Sequence, residues 1–258
     1  MAMQTVDTVP NWPLTKENRN RWLTDRMTKT APNRRRMTKA EQRAETMEQI
    51  LDEAEYLFAQ SGFNGVTLKD IAKRVGVHHT LLNYYFDDKK SVFDAVIARR
   101  ASVTSSLRMK ALDEYDKASG GKPTVEGALR AFLDTDLDLY SQGGEGWKNY
   151  GVLGAQSSNT TYGAELFDFH FDQVVLRLIG LLEKALPDCS REDLFWGYHF
   201  VTGALMLTLG RTGRIDRLSD GLCKSDDFEA AKERMASFMA GGFHELCKKR
   251  KNGSDAAS

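Results

Sequence analysis

Residues 68–87 read LKDIAKRVGVHHTLLNYYFD, which is the spacing of two short helices joined by a tight turn. Two helices that cross steeply need a small residue where they approach and a glycine where the chain turns. Ala72, the fifth residue, and Gly76, the ninth, meet these needs. Apolar residues occupy the positions between the helices, at Ile71, Val75, Val77, Leu82 and Tyr85. The stretch predicts a helix-turn-helix; on this pattern alone, a helical hairpin without a DNA role is the alternative.

A longer amphipathic helix is predicted before this motif. Thr38 and Glu41 form a capping-box pattern, and apolar residues then recur three and four apart as far as Phe58. Gly62 ends this helix, and Thr67 caps the next one.

The motif and its flanks resemble the N-terminal domain of the tetracycline-repressor (TetR) family, over about residues 44–95. The resemblance rests on the patterns Ala54-x-x-Leu57-Phe58-x-x-x-Gly62-Phe63, Thr67-Leu68-Lys69-Asp70-Ile71-Ala72, Gly76-Val77 and Tyr84-Tyr85-Phe86-Asp87-Asp88-Lys89. It implies an all-helical homodimer that binds double-stranded operator DNA and holds an effector in its C-terminal domain. The departures from the family pattern, at His78, Thr80, Leu81 and Asn83, lie near the DNA-facing side, so no operator sequence can be transferred.

The rest of the chain is predicted to be helical, because no alternating strand pattern is present. The expected helices are 89–117, 124–142, 147–157, 161–186, 191–209 and 227–249. The predicted fold is all-α, with an N-terminal three-helix helix-turn-helix domain followed by a helical ligand-binding and dimerisation domain. The expected segments are a flexible basic arm (1–37), the DNA-binding domain (38–88), the effector and dimerisation domain (89–250) and a disordered tail (251–258).

Charge is unevenly distributed although the net charge is zero. Residues 1–40 contain nine Lys and Arg against three Asp and Glu, so this arm is +6 and the remainder is −6. A basic arm ending in Arg34-Arg35-Arg36 can follow a DNA backbone or enter a minor groove, or it can add only non-specific attraction.

The three cysteines, Cys189, Cys223 and Cys247, are far apart and odd in number. This spacing predicts neither a disulfide framework nor a zinc site, and a reducing cytoplasm is the expected compartment. The chain has no apolar stretch like a signal sequence, and its longest apolar run, 200–209, is too short to span a bilayer. No cofactor and no membrane partner are therefore expected.

The predicted DNA contacts share positions on or beside the motif: Lys69, His78, His79, Thr80, Asn83, Tyr84 and Lys89. The second helix is expected to enter the major groove, where Asn83 can pair bidentately with adenine. The resemblance implies that Lys89 contacts phosphate. For Asn83 and Lys69, a solvated surface side chain is the alternative.

The predicted effector pocket is rich in aromatic residues, which suit a small hydrophobic effector: Phe132, Trp147, Tyr150, Phe167, His170 and Phe171. Plain core packing is the alternative. Asp168, His170 and Asp172 do not suggest a metal site, because their spacing of two spreads them around a helix. The phenylalanines between them, including Phe169, are expected to be buried.

The last two long helices are expected to pair with their symmetry mates in a four-helix bundle, as the resemblance also implies. Their apolar and small residues include Phe195, His199, Gly203 and Met206, then Phe238, Met239, Gly242, Phe243 and Leu246. Packing within one chain is the alternative. Residues 192–221 also resemble family members that respond to fatty acids or acyl-CoA, through Leu194-Phe195-Trp196-x-x-His199-Phe200 and Gly203-Ala204.

The expected function is a transcriptional repressor that binds a palindromic operator as a dimer and is released by a small hydrophobic effector. Two other classes of function compete with it. An enzyme is disfavoured, because the sequence has no Gly-rich phosphate loop, nucleophile elbow or acid/base pair at helical spacing. A DNA-bound adaptor or activator, whose C-terminal domain binds a protein rather than a metabolite, is the second alternative.

Overall fold

The computed structural model describes residues 38–254, with side chains as far as Lys248 apart from Ala164. Over that range the chain contains only α-helices and no strand, so the predicted fold class is confirmed. The helices are α1 (Lys39–Ser61), α2 (Leu68–Val75), α3 (His79–Tyr85), α4 (Lys89–Ala118), α5 (Val125–Gln142), α6 (Glu145–Ser157), α7 (Thr161–Ala185), α8 (Arg191–Leu209), α9 (Arg214–Leu218) and α10 (Phe228–Ser254). The predicted basic arm lies outside the described residues, and α10 continues four residues into the predicted tail.

Local capping explains where the helices of the motif begin and end. The Thr67 hydroxyl accepts a hydrogen bond from the Asp70 N–H at 3.2 Å, and the Asp70 carboxylate accepts from the Thr67 N–H at 2.9 Å. Asp88 and Ser91 form the same reciprocal arrangement at the start of α4. Gly76 ends α2 at φ 81°, a left-handed conformation that costs little only without a Cβ.

A shared core holds the motif in place. Ile71 and Leu82, two of the five apolar positions expected between α2 and α3, are buried, and so is the small residue Ala72. The other three positions are half-buried. Below them Phe58, Phe63 and Phe93 pack ring against ring, with centroids 5.2–6.0 Å apart. Because these rings belong to α1, the following loop and α4, the motif has a fixed base.

In the C-terminal part, α5 packs against α4, α7 and α10, and α8 packs against α6, α7 and α10. Gly197 on α8 leaves room for Phe243 on α10: a Cβ at Gly197 would lie 2.3 Å from a Phe243 ring atom. Phe243 therefore packs within its own chain, the alternative that the sequence left open.

The structure corrects the expectation about cysteines. Cys189, just before α8, and Cys247, on α10, form a disulfide, and Cys223 is free and exposed. The two bonded residues are 58 positions apart and meet only because α10 packs back against the start of α8. Their spacing in sequence could not reveal this contact.

None of the helices within residues 38–254 is long and apolar enough to cross a membrane. In the same part of the chain, no group of three His, Cys, Asp or Glu side chains is arranged to hold a metal ion.

Candidate nucleic-acid interface and effector site

The second helix of the motif presents a polar face to solvent. His79, Thr80, Asn83 and Tyr84 on α3 are exposed, whereas Leu82 between them is fully buried. One helix therefore combines a fixed apolar side with an open side that carries an amide, a hydroxyl, an imidazole and a phenol. These are hydrogen-bonding groups that can address base edges or phosphates.

His78 forms the N-cap of α3. Its Nδ1 lies 2.9 Å from the Thr80 Oγ1 and accepts from the Thr80 N–H at 3.5 Å. Its ring also contacts that of His79, with centroids 4.5 Å apart. The side chain of His78 thus fixes the start of α3, a role that the sequence reasoning missed although it noted the departure at this position.

The cations predicted to contact phosphate differ in their surroundings. Lys69 is exposed in the first turn of α2. The Lys89 ammonium donates to the Phe63 carbonyl at 2.8 Å and lies 4.4 Å from the centre of the Phe63 ring, so these contacts hold it against its own chain in a half-buried position. The sequence reasoning missed Arg43, whose guanidinium lies 5.1 Å from the centre of the Tyr84 ring and brings a cation of α1 to the edge of α3.

The predicted effector residues fall into two groups. The ring centres of Phe132 and Phe171 lie 4.2 and 5.5 Å from the guanidinium carbon of Arg108, and the Phe167 ring packs 5.9 Å from that of Phe171. The second group is Trp147 and Tyr150, which pack around Tyr140 with centroids 6.1–6.4 Å apart.

His170 and Phe169 lie away from the centres of these groups. Burial lowers the pKa of half-buried His170, and its ring contacts that of Phe169 with centroids 5.1 Å apart. Phe169 itself is 76% exposed, so the expectation that it is buried was wrong. Successive residues of a helix point about 100° apart, which turns Phe169 away from the side that Phe167 and Phe171 share.

A buried ion pair lies among the first group of aromatic rings. Arg108 on α4 donates through Nη2 to Asp136 on α5, and both side chains are almost fully buried. Burial raises the pKa of Asp136 to about 6, while the nearby Arg108 opposes the rise. The sequence analysis missed Arg108, because one arginine in a long helix gives no signal of its own.

A second cluster of charges connects α1 with α4. Glu55 accepts hydrogen bonds from both Arg99 and Arg100, and Arg99 also binds Glu48 and Asp52. The Trp147 ring lies 4.9 Å from the guanidinium carbon of Arg100. Arg100 thus contacts both Glu55 on α1 and the second aromatic group.

These features define a helix-turn-helix DNA-binding protein with a helical C-terminal domain. Two family models match the chain: "Bacterial regulatory proteins, tetR family" over residues 50–96 and "Tetracyclin repressor-like, C-terminal domain" over residues 130–242. The chain belongs to the tetracycline-repressor family of regulators.

Similar proteins agree with this assignment. Over 47 residues the chain is 45% identical to the negative transcriptional regulator IcaR of the biofilm operon of Staphylococcus aureus, a match covering 18% of this chain and 25% of IcaR. Over 76 residues it is 38% identical to the transcriptional repressor BepR of Brucella suis, covering 30% of this chain and 36% of BepR. The matches thus span only a quarter to about a third of these relatives.

The fold is also similar to that of FadR from Bacillus subtilis, solved in complex with stearoyl-CoA. The TM-score is 0.51 at 16% identity, and the match covers 76% of this chain and 98% of FadR. At this identity the similarity concerns the fold.

Proposed function

We propose that the chain is a transcriptional repressor that binds a palindromic operator as a homodimer and leaves the DNA when a small hydrophobic effector binds. The observation that carries the proposal is the exposed polar face of α3, fixed from beneath by buried Leu82. IcaR and BepR are named as repressors, and their matches to this chain support the same outcome here.

In this proposal α3 lies in the major groove. Asn83 pairs with adenine, and His79 and Thr80 make single hydrogen bonds to bases, each good contact contributing about 1–3 kcal/mol of discrimination. Tyr84 and Lys69 bind phosphate. Lys89 reaches a phosphate only after its ammonium leaves the Phe63 carbonyl, so we place it second to Lys69.

The dimer forms through the exposed apolar sides of α8 and α10. Trp196, Phe200 and Leu207 on α8 are 51–71% exposed, and Phe238 on α10 is 77% exposed. Large apolar side chains in contiguous patches indicate an interaction surface. Pairing each helix with its symmetry mate covers them in a four-helix bundle and suits a palindromic operator.

The effector binds among the aromatic residues near Arg108 and Trp147, and it favours a conformer in which the two α3 helices no longer match successive major grooves. FadR, whose fold is similar, was solved with stearoyl-CoA, which makes a fatty acid or an acyl-CoA a first candidate. Because the operator is chromosomal DNA, we place the protein in the cytoplasm.

Footprinting on the DNA upstream of the chain's own gene tests this function. We expect a protected palindrome whose half-sites lie about 34–36 Å apart, one DNA turn. The variant Asn83→Ala should need a higher protein concentration to protect the site, because it loses about 1–3 kcal/mol of base discrimination. Gln173→Ala, which removes an exposed amide from α7, should protect the site at the same concentration as the unchanged chain. Absence of any protected site in the unchanged protein would contradict the proposal.

A further inference from the structure

We propose that the effector carries an electrically neutral head group that both donates and accepts hydrogen bonds, a carboxylic acid taken up with its proton or a carboxamide, and that Arg108 and Asp136 bind this group. The inference rests on the proposed function, because it names the ligand chemistry of the same effector site.

The buried ion pair of Arg108 and Asp136 leaves two polar atoms without a hydrogen-bond partner. Arg108 is 5% exposed and Asp136 is 2% exposed. Arg108 Nη2 donates to Asp136 Oδ2, but Arg108 Nε and Asp136 Oδ1 have no hydrogen-bond partner among the residues that the structure describes. Proteins satisfy nearly all of their buried polar groups, so a donor and an acceptor left over in one buried pair indicate a ligand.

The two atoms without a partner, Arg108 Nε and Asp136 Oδ1, differ in their hydrogen-bonding capacity. Nε–H of Arg108 can only donate, and ionised Oδ1 of Asp136 can only accept. A matching ligand offers one acceptor and one donor on the same group. A carboxylic acid and a carboxamide do this, whereas an ester or a thioester offers acceptors without a donor.

The net charge of the buried ion pair limits the charge that a ligand can carry. Arg108 and Asp136 already neutralise each other, so an added anion would leave an uncompensated charge in a buried site. A carboxylate can avoid this by entering together with a proton. Burial raises the pKa of Asp136 to about 6, which makes a shared proton accessible near neutral pH.

The aromatic rings near Arg108 favour a ligand that is apolar beyond its head group. The rings of Phe132 and Phe171 lie within 5.5 Å of the guanidinium carbon of Arg108, and Phe167 packs against Phe171. These side chains offer apolar contacts and no further hydrogen bonds. The head group is therefore expected at one end of an apolar chain or ring system.

Other titratable groups near Asp136 do not compete for this proton at pH 6.5–8. Burial raises the pKa of Tyr140 on α5 and of Tyr150 on α6. Both pKa values also depend on the charges of the Arg108–Asp136 pair and of Arg100, and the pKa of Tyr150 depends on Glu55 as well. On α7, burial lowers the pKa of His170. From α10, Lys232 pairs with Asp138 on α5.

The test compares three probes of equal chain length, dodecanoic acid, dodecanamide and methyl dodecanoate, by calorimetric titration of the full chain at pH 6.5, 7.0 and 8.0. We expect the amide to bind with the same Kd at each pH and the ester to bind at least about tenfold more weakly, because it leaves Asp136 without a donor. The acid should weaken about tenfold per pH unit, because one proton enters with each molecule.

Two variants assign the effect to the ion pair. Arg108→Met with Asp136→Leu replaces the pair with apolar side chains and should bind amide and ester equally. Asp136→Asn should remove the pH dependence of acid binding while keeping a donor and an acceptor. The control, Arg177→Met with Asp113→Leu, removes an ion pair between α7 and α4 and should behave as the unchanged chain.

The inference is overturned if the ester binds the unchanged chain as tightly as the amide does, if acid binding does not depend on pH, or if no probe binds at 1 mM. Operator binding is measured separately on the same samples. Intact operator binding with no head-group discrimination rejects this inference alone, whereas loss of operator binding by the unchanged chain rejects the proposed function.

Discussion

Glu55 on α1 accepts hydrogen bonds from Arg100 on α4 through both of its carboxylate oxygens, at 2.9 Å from Nε and 3.0 Å from Nη2. Glu55 is 1% exposed, and Arg99 donates to the same carboxylate at 3.0 Å. Arg108 follows two helical turns further along α4, about 12 Å away. A single long helix therefore connects the charge cluster of the DNA-binding segment with the proposed effector site.

The ion pairs of Glu55 should contribute more to the free energy of unfolding than a half-exposed ion pair does. Glu55→Gln removes the carboxylate that half-buried Arg100 binds and one of the three carboxylates that Arg99 binds, so we expect the free energy of unfolding in urea to fall by roughly 3 kcal/mol. The control is Glu53→Gln, which removes a half-exposed ion pair with Arg74 and should cost at most about 1 kcal/mol. Equal losses of unfolding free energy in the two variants would contradict a larger contribution from the Glu55 ion pairs.

The free energy of unfolding should depend on pH, because the pKa of Asp136 differs between the folded and unfolded chain. Its pKa is about 6 in the folded chain against a usual 3.8, so the folded state binds the proton more tightly. The resulting stabilisation is complete below about pH 4 and is lost as the pH rises through 6, a total of about 3 kcal/mol. Unfolding in urea from pH 4 to pH 7.5 should show the unchanged chain losing this amount relative to Asp136→Asn. Asp172→Asn, an exposed change on α7, is the control, and a difference that stays constant with pH would refute the assignment.

The disulfide should stabilise the C-terminal domain under oxidising conditions. Cys189 and Cys247 close a loop of 58 residues, for which chain entropy gives about 4 kcal/mol. We expect reductant to lower the urea midpoint of the unchanged chain and of Cys223→Ser, but not that of Cys189→Ser with Cys247→Ser. A midpoint that reductant leaves unchanged in all three would contradict the bond.

The proposed dimer should depend on the exposed side chains of α8 and α10. Leu207→Glu and Phe238→Glu each place a carboxylate where burial of the apolar group would contribute about 1.5–3 kcal/mol per subunit. Sedimentation at micromolar concentration should show monomers for both variants. Ser106→Glu, an exposed change on α4, should remain dimeric. Dimers that survive both interface changes would place the interface elsewhere.

The sequence predicts the motif well because its rules are local. Ala72, Gly76 and Leu82 carry the geometry of α2 and α3, and the caps at Thr67 and Asp88 lie within one turn of the groups that they bind. Helix positions follow from apolar spacing in the same way. The predicted helices from residue 89 onward match the observed ones to within a few residues, except at the extended end of α10 and at the short helix α9.

The candidate sites depend on contacts between distant residues, which spacing cannot show. Arg108 meets Asp136 and Cys189 meets Cys247 only through the packing of whole helices. The exposure of Phe169 depends on how α7 is rotated against its neighbours. Aromatic composition singled out Phe132 and Phe171 as candidates for an effector pocket, which stays a prediction, and it gave no sign of the ion pair beside them.

The central claim, that α3 reads DNA, is tested most directly by fluorescence anisotropy with the upstream region of the chain's own gene and a scrambled duplex. We expect the unchanged chain to prefer the upstream DNA by at least about a thousandfold at fixed salt, and its affinity to fall steeply as salt rises. Asn83→Ala should lose about 1–3 kcal/mol of that preference, and Gln173→Ala should lose none. Equal affinity of the unchanged chain for both duplexes, or equal behaviour of the two variants, would contradict the claim.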